Sequence, residues 1–221
     1  MKPDIRTKYD ALIVGYGEVG QALHGIFQCK AVDIENQPTI PFHHDYMHIA
    51  FPYSEGFEDE VKRYQELYSP KYTIIHSTVP VGTSKRLGAV HTPIRGMHPN
   101  LEYGVRVHQK FLGGPQAWEV AEYFRDHGLR VIICDSAETT ELGMLLGTEC
   151  YRVNIEFAKH AKELCEKHGV NYNESYTLFA NAYNDGFQRL GLPEYIRQVL
   201  VPIQGPVGGH CLVPNSELIK K

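Results

Sequence analysis

Short apolar runs rich in branched side chains recur from Ala11 to Cys134: ALIVG at 11–15, KAVDI at 30–34, MHIAF at 47–51, YTIIH at 72–76, AVHTPI at 89–94, KFLGG at 110–114 and RVIIC at 130–134. Runs of that length and content predict strands. Between them lie helical patterns. Val19, Leu23, Ile26 and Phe27 recur at helical spacing after the first run, FEDEVKRYQELY at 57–68 carries acids in its first turn, and PQAWEVAEYFRDHG at 115–128 starts on proline and ends on glycine. Strands alternating with helices imply an α/β fold, a Rossmann-type doubly wound parallel sheet that presents ligands at the carboxyl ends of its strands.

The pattern changes after Asp135. From Glu138 to His168 there is no proline and no strand-like run, and Leu142, Leu145, Leu146, Ile155, Phe157, Ala161 and Leu164 fit one long helix ended by Gly169. Such a helix would span roughly 46 Å, which is long for a globular protein, and is expected to pack on more than its own domain. A second helical stretch covers about Glu174 to Leu190, followed by a tail punctuated by proline and glycine. The organisation expected is a dinucleotide-binding Rossmann domain over 1–137 and a helical dimerisation or substrate domain over 138–221.

Chemistry enters with GYGEVG, which follows the first strand directly and opens the first helix. Gly15 would permit the tight turn, Gly17 the approach of backbone to a pyrophosphate, and Gly20 close packing of helix on strand. The helix N-terminus adds N–H groups and a positive dipole end. Asp33 lies 13 residues past Gly20 at the end of the second strand, where an acid can bind a ribose diol and repel a 2′-phosphate. Gly15, Tyr16, Gly17, Glu18, Val19, Gly20 and Asp33 are therefore candidate cofactor residues, and NAD the expected cofactor. The alternative is a glycine turn in a sheet that has lost its ligand, with Asp33 a solvated strand end.

Composition narrows the partners. The 221 residues, 43% hydrophobic and 22% charged, suffice for one substantial core or one core with a smaller layer attached. A net charge of −4 offers no basic excess for phosphates, so nucleic acid is not an expected partner. The N-terminal MKPDIRTKYD lacks the apolar centre of a signal peptide, and no apolar run approaches the ~18–20 residues that span a bilayer, so a cytoplasmic protein without membrane contact is expected. Five cysteines, widely spaced and without a CxxC pair, read as reduced thiols. His43, His44 and His48 form a loose cluster with only Asp45 as a nearby carboxylate, and no metal site is expected there.

GYGEVG, HSTVPVGTSKRL at 76–87, LCEKHGVN at 164–171 and GPVGGHC at 205–211 together resemble the UDP-glucose/GDP-mannose dehydrogenase family, of the 6-phosphogluconate dehydrogenase-like superfamily, in order and spacing across nearly the whole chain. The resemblance implies that STVPVGT lies beside the nicotinamide end of the cofactor, which adds Ser77, Thr78 and Val79 to the cofactor candidates. It also implies that Cys211 is a catalytic thiol. Members of that family oxidise a primary alcohol to an acid in two steps, the cysteine capturing the intermediate aldehyde, and covalent capture splits one difficult step into two easier ones. His210, next to it, would lower the thiol's pKa if close in space.

Departures from the family pattern bear on activity. Aligned backward from LCEKHGVN, the family's catalytic lysine falls on Met144, its asparagine on Thr148, and its aspartate after the cysteine on Asn215. The oxyanion would lack its preorganised cation. The chain ends ten residues past Cys211, so a short form without the family's further nucleotide-sugar-binding domain is expected. PIRGMHPNLEYG at 93–104 replaces a family stretch, and its GMHP resembles a segment of prephenate dehydrogenases. Arg95 could pair with a carboxylate and His98 accept a proton. Arg95, Asn100 and Asn215 are thus candidate substrate contacts, and Cys211, His98 and His210 candidate catalytic residues. The expectation is an NAD-dependent oxidoreductase, a homodimer, acting on a small anionic alcohol or aldehyde. The alternative is a catalytically degenerate dinucleotide-binding protein serving as sensor or assembly partner.

Overall fold

The computed structural model describes residues 8–33, 43–96, 99–205 and 212–220. The chain divides into two compact units, Met1–Leu145 with Leu218–Lys221, and Leu146–Glu217.

The first unit is built on a seven-stranded sheet: β1 Ala11–Val14, β2 Lys30–Val32, β3 Tyr46–Ile49, β4 Tyr72–Ile75, β5 Val90–His91, β6 Lys110–Gly113 and β7 Val131–Cys134, in the spatial order β2-β1-β3-β4-β5-β6-β7. Every residue of β1, β3 and β4 is buried, because helices cover both faces, and the three runs are accordingly apolar but for His48 in β3 and Thr73 in β4. On one face Ile13, Ile74, Val90 and Leu112 pack against α1 (Glu18–Phe27), α4 (Leu101–Val107) and α5 (Ala117–Asp126). On the other, Leu12, Val14, Met47, Ile49 and Ile75 pack against α2 (Phe57–Tyr68). This is the doubly wound core expected from the alternation.

Two features depart from the sequence reading. The sheet is not wholly parallel: β5 and β6 run antiparallel, with His91 opposite Gly113, while the other pairs are parallel. The segment read as a ligand loop, 93–104, continues into α4, whose Leu101 and Val105 face the core. Helix α2 has the expected bounds, and α3 (Thr83–Arg86) is a single turn after STVPVGT.

The long helix α6 runs from Ala137 to Lys167, 31 residues, and the division between units falls within it. In the second unit a π-helical turn, Asn173–Leu178, leads into α7 (Phe179–Arg189), and the tail ends in α8 (Leu212–Leu218). Neither the π-helical turn nor α7 buries a residue. No helix among the described residues is long and apolar enough to cross a membrane.

Candidate functional site

Strand order reverses at β1, with β2 on one side and β3 on the other, and at such a switch point a doubly wound sheet opens a crevice at its carboxyl end. The glycine loop occupies that point. Gly15 turns with φ +96°, and a Cβ on it would lie 2.9 Å from Phe51 N, so both its conformation and its surroundings exclude a side chain. Gly20, in the first turns of α1, presses against the same residue: a Cβ there would sit 2.0 Å from the Gly15 carbonyl oxygen. Main-chain bonds fix the loop to both neighbouring strands, Gly15 N donating to Val32 O at 2.9 Å and Ala50 N to Val14 O at 2.8 Å.

Gly17 differs from both. Its φ of −69° suits any residue, and nothing lies within 4 Å of the place its Cβ would occupy. The open space lies at the start of α1, where no side chain caps the helix and the first N–H groups have no carbonyl within the helix to pair with. An anion fits there on charge and on room. Tyr16 and Glu18 are exposed beside it, the Tyr16 ring standing edge-on to His24 with centroids 5.6 Å apart, while Val19 is half-buried against the core. Asp33, half-buried, follows the carbonyl to which Gly15 N is bound. A pyrophosphate over Gly17 with a ribose toward Asp33 is therefore compatible with the residues present.

The second cofactor segment follows β4 as expected. Ser77 is held at two points, its Oγ donating to Phe51 O at 2.5 Å and its carbonyl lying 3.3 Å from His91 Nε2. Thr78 is half-buried, and Val79 is fully buried in the core, so Val79 can offer a ligand only its main chain. A residue missed in the sequence closes the segment. Glu141, 0% exposed on α6, accepts hydrogen bonds from Gly82 N at 2.6 Å and Ser84 N at 2.8 Å and so caps α3 from outside. Burial raises its carboxyl above the usual 4.5 although both N–H groups favour the charged form. Lys85 and Arg86 pair with Glu138 at 3.0 Å and Glu58 at 2.6 Å and hold the same turn.

The remaining candidates are distributed differently. Arg95 is exposed, its guanidinium 5.7 Å from the Phe111 ring centroid, and Asn100 is an exposed residue at the start of α4. His98, His210 and Cys211 lie outside the described residues. In the second unit Asn215, on α8, is 6% exposed and donates from Nδ2 to Thr148 Oγ1 at 3.2 Å. The two positions at which the family resemblance places an aspartate and an asparagine thus touch, although neither carries the family's residue. The histidines of the 43–48 segment go separate ways: His44 Nδ1 lies 2.8 Å from Asp10, His43 3.8 Å from Asp45, and His48 is buried against His76 and Tyr123.

No family model matches the chain, and no curated protein matches it. Among solved structures it resembles UDP-D-ManNAc dehydrogenase from Pyrococcus horikoshii, with a TM-score of 0.72 and 18% identity over 95% of this chain and 63% of that one. It also resembles the UDP-N-acetyl-mannosamine dehydrogenase Cap5O from Staphylococcus aureus, with a TM-score of 0.69 and 19% identity over 95% and 65% of the two chains. A third likeness is to 3-hydroxyisobutyrate dehydrogenase from Mycobacterium tuberculosis, with a TM-score of 0.62 and 13% identity over 95% and 79%. At these identities the likeness establishes the fold, which is dehydrogenase-like. The chain spans less than two thirds of the length of the first two.

Proposed function

We propose that the chain is an NAD-dependent oxidoreductase acting on a small anionic alcohol or aldehyde. The observation that supports this most is the glycine loop: Gly15 and Gly20 lock its shape while the place above Gly17 stays open at the helix start, with Asp33 next to the strand-end carbonyl that anchors it. A turn serving only the fold needs the first two glycines but not the third. Bound there, the nicotinamide would accept the electrons that an alcohol or aldehyde loses.

The chain's own residues would act as follows. The N-terminus of α1 binds the pyrophosphate, and Asp33 accepts from the ribose hydroxyls and repels a 2′-phosphate. Ser77 and Thr78, held by Phe51, His91 and the Glu141-capped turn, position main chain beside the nicotinamide. Arg95 pairs with a substrate carboxylate, Cys211 is the nucleophile, and His98 and His210 serve as proton acceptor and thiol activator. Asn100 and Asn215 contact the substrate. A second copy of the chain covers the exposed apolar side chains of the helical unit, among them Phe179 at 75% and Leu190 at 70% exposure.

Calorimetric titration with NAD and NADP tests the reading. NAD is expected to bind more tightly, and Asp33→Ala to weaken NAD selectively; equal affinities in the wild type would sink the assignment. A substrate screen followed at the nicotinamide absorbance then tests turnover, and light scattering across micromolar concentrations tests the dimer, which a monomer throughout would exclude. One observation favours the degenerate reading: where an acid could assist, an amide meets a hydroxyl, Asn215 on Thr148. NAD binding with no turnover of any small anionic alcohol or aldehyde would establish it.

A further inference from the structure

On the face of the sheet covered by α1 and α5, three side chains form an unbroken string. The Tyr123 hydroxyl lies 3.0 Å from His48 Nε2, and His48 Nδ1 lies 2.8 Å from His76 Nε2. All three residues are buried, at 1%, 0% and 2% exposure. The string runs along the strands. Tyr123 stacks on Tyr46, the first residue of β3, with ring centroids 4.0 Å apart, whereas His76 follows the last residue of β4 and immediately precedes Ser77. At the Tyr123 end is a pocket of about 170 Å³, lined also by Tyr9, Asp10, Cys29 and His127. At the other end His76 Nδ1 is buried without a hydrogen bond of full geometry, the Thr92 main chain acting on the ring only weakly, and Thr92 Oγ1 on the neighbouring strand end is buried without a partner. Buried polar atoms left unpaired are rare enough to call for a reason.

Each link can donate or accept, so the string has two self-consistent proton arrangements. In the first, Tyr123 donates to His48 Nε2, His48 Nδ1–H donates to His76 Nε2, and His76 carries its proton on Nδ1. In the second, His76 Nε2–H donates to His48 Nδ1, His48 Nε2–H donates to the Tyr123 oxygen, and His76 Nδ1 is a bare lone pair. Both rings are neutral in either case, and both are the same tautomer.

We propose that Tyr123, His48 and His76 are a proton-conducting string linking the carboxyl end of the sheet beneath the Ser77 segment to the Tyr123 pocket, which rests on the dehydrogenase reading. An alcohol oxidised at the expense of a nicotinamide also gives up its hydroxyl proton. A proton arriving at bare His76 Nδ1 forms an N–H bond there; the Nε2 proton of His76 passes to His48 Nδ1, the Nε2 proton of His48 to the Tyr123 oxygen, and the Tyr123 hydroxyl proton to water in the pocket. One proton enters, one leaves, and the second arrangement becomes the first. Burial pushes His48 down to about 3, with His127 and Lys110 acting in the same direction, and His76 well below its ordinary value, with His48, Lys110 and His91 acting in the same direction and only the Thr92 main chain opposing. A ring holding an extra proton is therefore disfavoured, and transfer in which all protons shift together avoids it.

Nitrogen NMR of histidine-labelled protein near neutral pH decides the matter without substrate, because protonated and bare ring nitrogens are well separated. The expected result is that His48 and His76 are neutral and share one tautomer, and that Tyr123→Phe, which removes the donor at the far end, changes the tautomer populations of both rings together. Opposite tautomers in the wild type, or a doubly protonated ring, would overturn the string; so would a folded Tyr123→Phe in which only His48 responds. Saturating NAD is expected to shift Gly17–Val19 amides, His76, His48 and Tyr123. If the amides do not move, the nucleotide reading fails while the tautomer result stands; if they move and Tyr123 does not, the string fails.

Discussion

A side-chain carbon on Gly20 would fall 2.0 Å from the Gly15 carbonyl oxygen, whereas one on Gly17 would meet nothing within 4 Å. The two glycines therefore do separable work. Gly20→Ala must push α1 off the turn and is expected to cost ~1–3 kcal/mol of stability, as overpacking does elsewhere. Gly17→Ala should leave stability within ~0.5 kcal/mol. It should nonetheless weaken NAD at least about tenfold, ~1.4 kcal/mol, by filling the space above the helix start. Denaturant unfolding and calorimetry on both variants check this. A Gly17→Ala protein that binds NAD normally would show that no ligand approaches there.

Glu141 accepts from the main-chain N–H groups of Gly82, just before α3, and of the fully buried Ser84 within it. Glu141→Ala leaves both N–H groups without their acceptor, and each unpaired buried donor costs ~1–3 kcal/mol. A loss of about 2–4 kcal/mol in unfolding free energy is expected, together with loosening of the Ser77–Gly82 segment, readable as faster amide exchange at Thr83 and Ser84. Because burial raises the Glu141 carboxyl in the folded chain, the folded state binds its proton more readily than the unfolded state does. Its contribution to stability therefore falls as pH rises between the ordinary and the raised value. Subtracting the stability curve of Glu141→Ala from that of the wild type should isolate this downward slope; a difference that rises with pH would mean that the two N–H bonds outweigh burial.

The strands are legible in the sequence because burial on both faces leaves few polar interruptions, and β1, β3 and β4 are apolar but for His48 and Thr73 for that reason. Strand polarity is absent from such a pattern, which is why the antiparallel step between β5 and β6 does not show. Helix α4 is hidden by the Pro, Gly and Asn that precede it and by its length of seven residues. Glu141 reads like any acid on the polar side of a long helix, since its partners lie 57 and 59 residues earlier. Lys110 does carry a usable signal: alternation along KFLGG places it on the same face as Leu112, which is core.

Lys110 is 1% exposed, and its ammonium donates to Pro93 O at 2.6 Å; among the described residues no ion pair links it to an acid. Desolvation, with the nearby Arg95 charge, pushes it down from 10.5 to about 7. Between those values the unfolded chain holds the proton that the folded chain has released, so stability is expected to rise with pH across that window. Every tenfold loss of proton affinity on folding is worth ~1.4 kcal/mol, which makes the penalty below neutrality several kcal/mol. Lys110→Met removes the charge and keeps the length. Losing the bond to Pro93 O costs ~1 kcal/mol, so the variant should be more stable than the wild type by about 1–3 kcal/mol in mildly acidic buffer. The advantage should shrink as pH rises. Denaturation of both proteins at several pH values checks this, and parallel stability curves would mean that Lys110 keeps an ordinary affinity for its proton.

On sequence alone Cys211 ranks as the most reactive cysteine, Cys29 as its competitor, and Cys134, Cys150 and Cys165 as inert. The described residues revise that order. Cys29 is half-buried and its thiol is pushed up by burial from 9.0 to about 12, which lowers its thiolate fraction about a thousandfold. Cys134 is half-buried and also raised, by burial and by Asp135, and Cys165 is buried. Cys150 is exposed on α6 and so becomes the internal reference for an accessible thiol. In a short alkylation pulse on the native protein, mapped by mass spectrometry, Cys150 should react readily, Cys29 and Cys165 slowly, and Cys211 at least as fast as Cys150 if the tail carries a nucleophile. NAD should slow Cys211 while leaving Cys150 unchanged, because only a thiol beside the cofactor is shielded by it. If the expected dimer forms through α6, Cys150 should also slow as protein concentration rises, and Cys211 should not. A Cys211 that stays unmodified while Cys150 reacts, or that NAD does not protect, removes the catalytic thiol from the proposal and leaves the degenerate binding protein as the reading that survives.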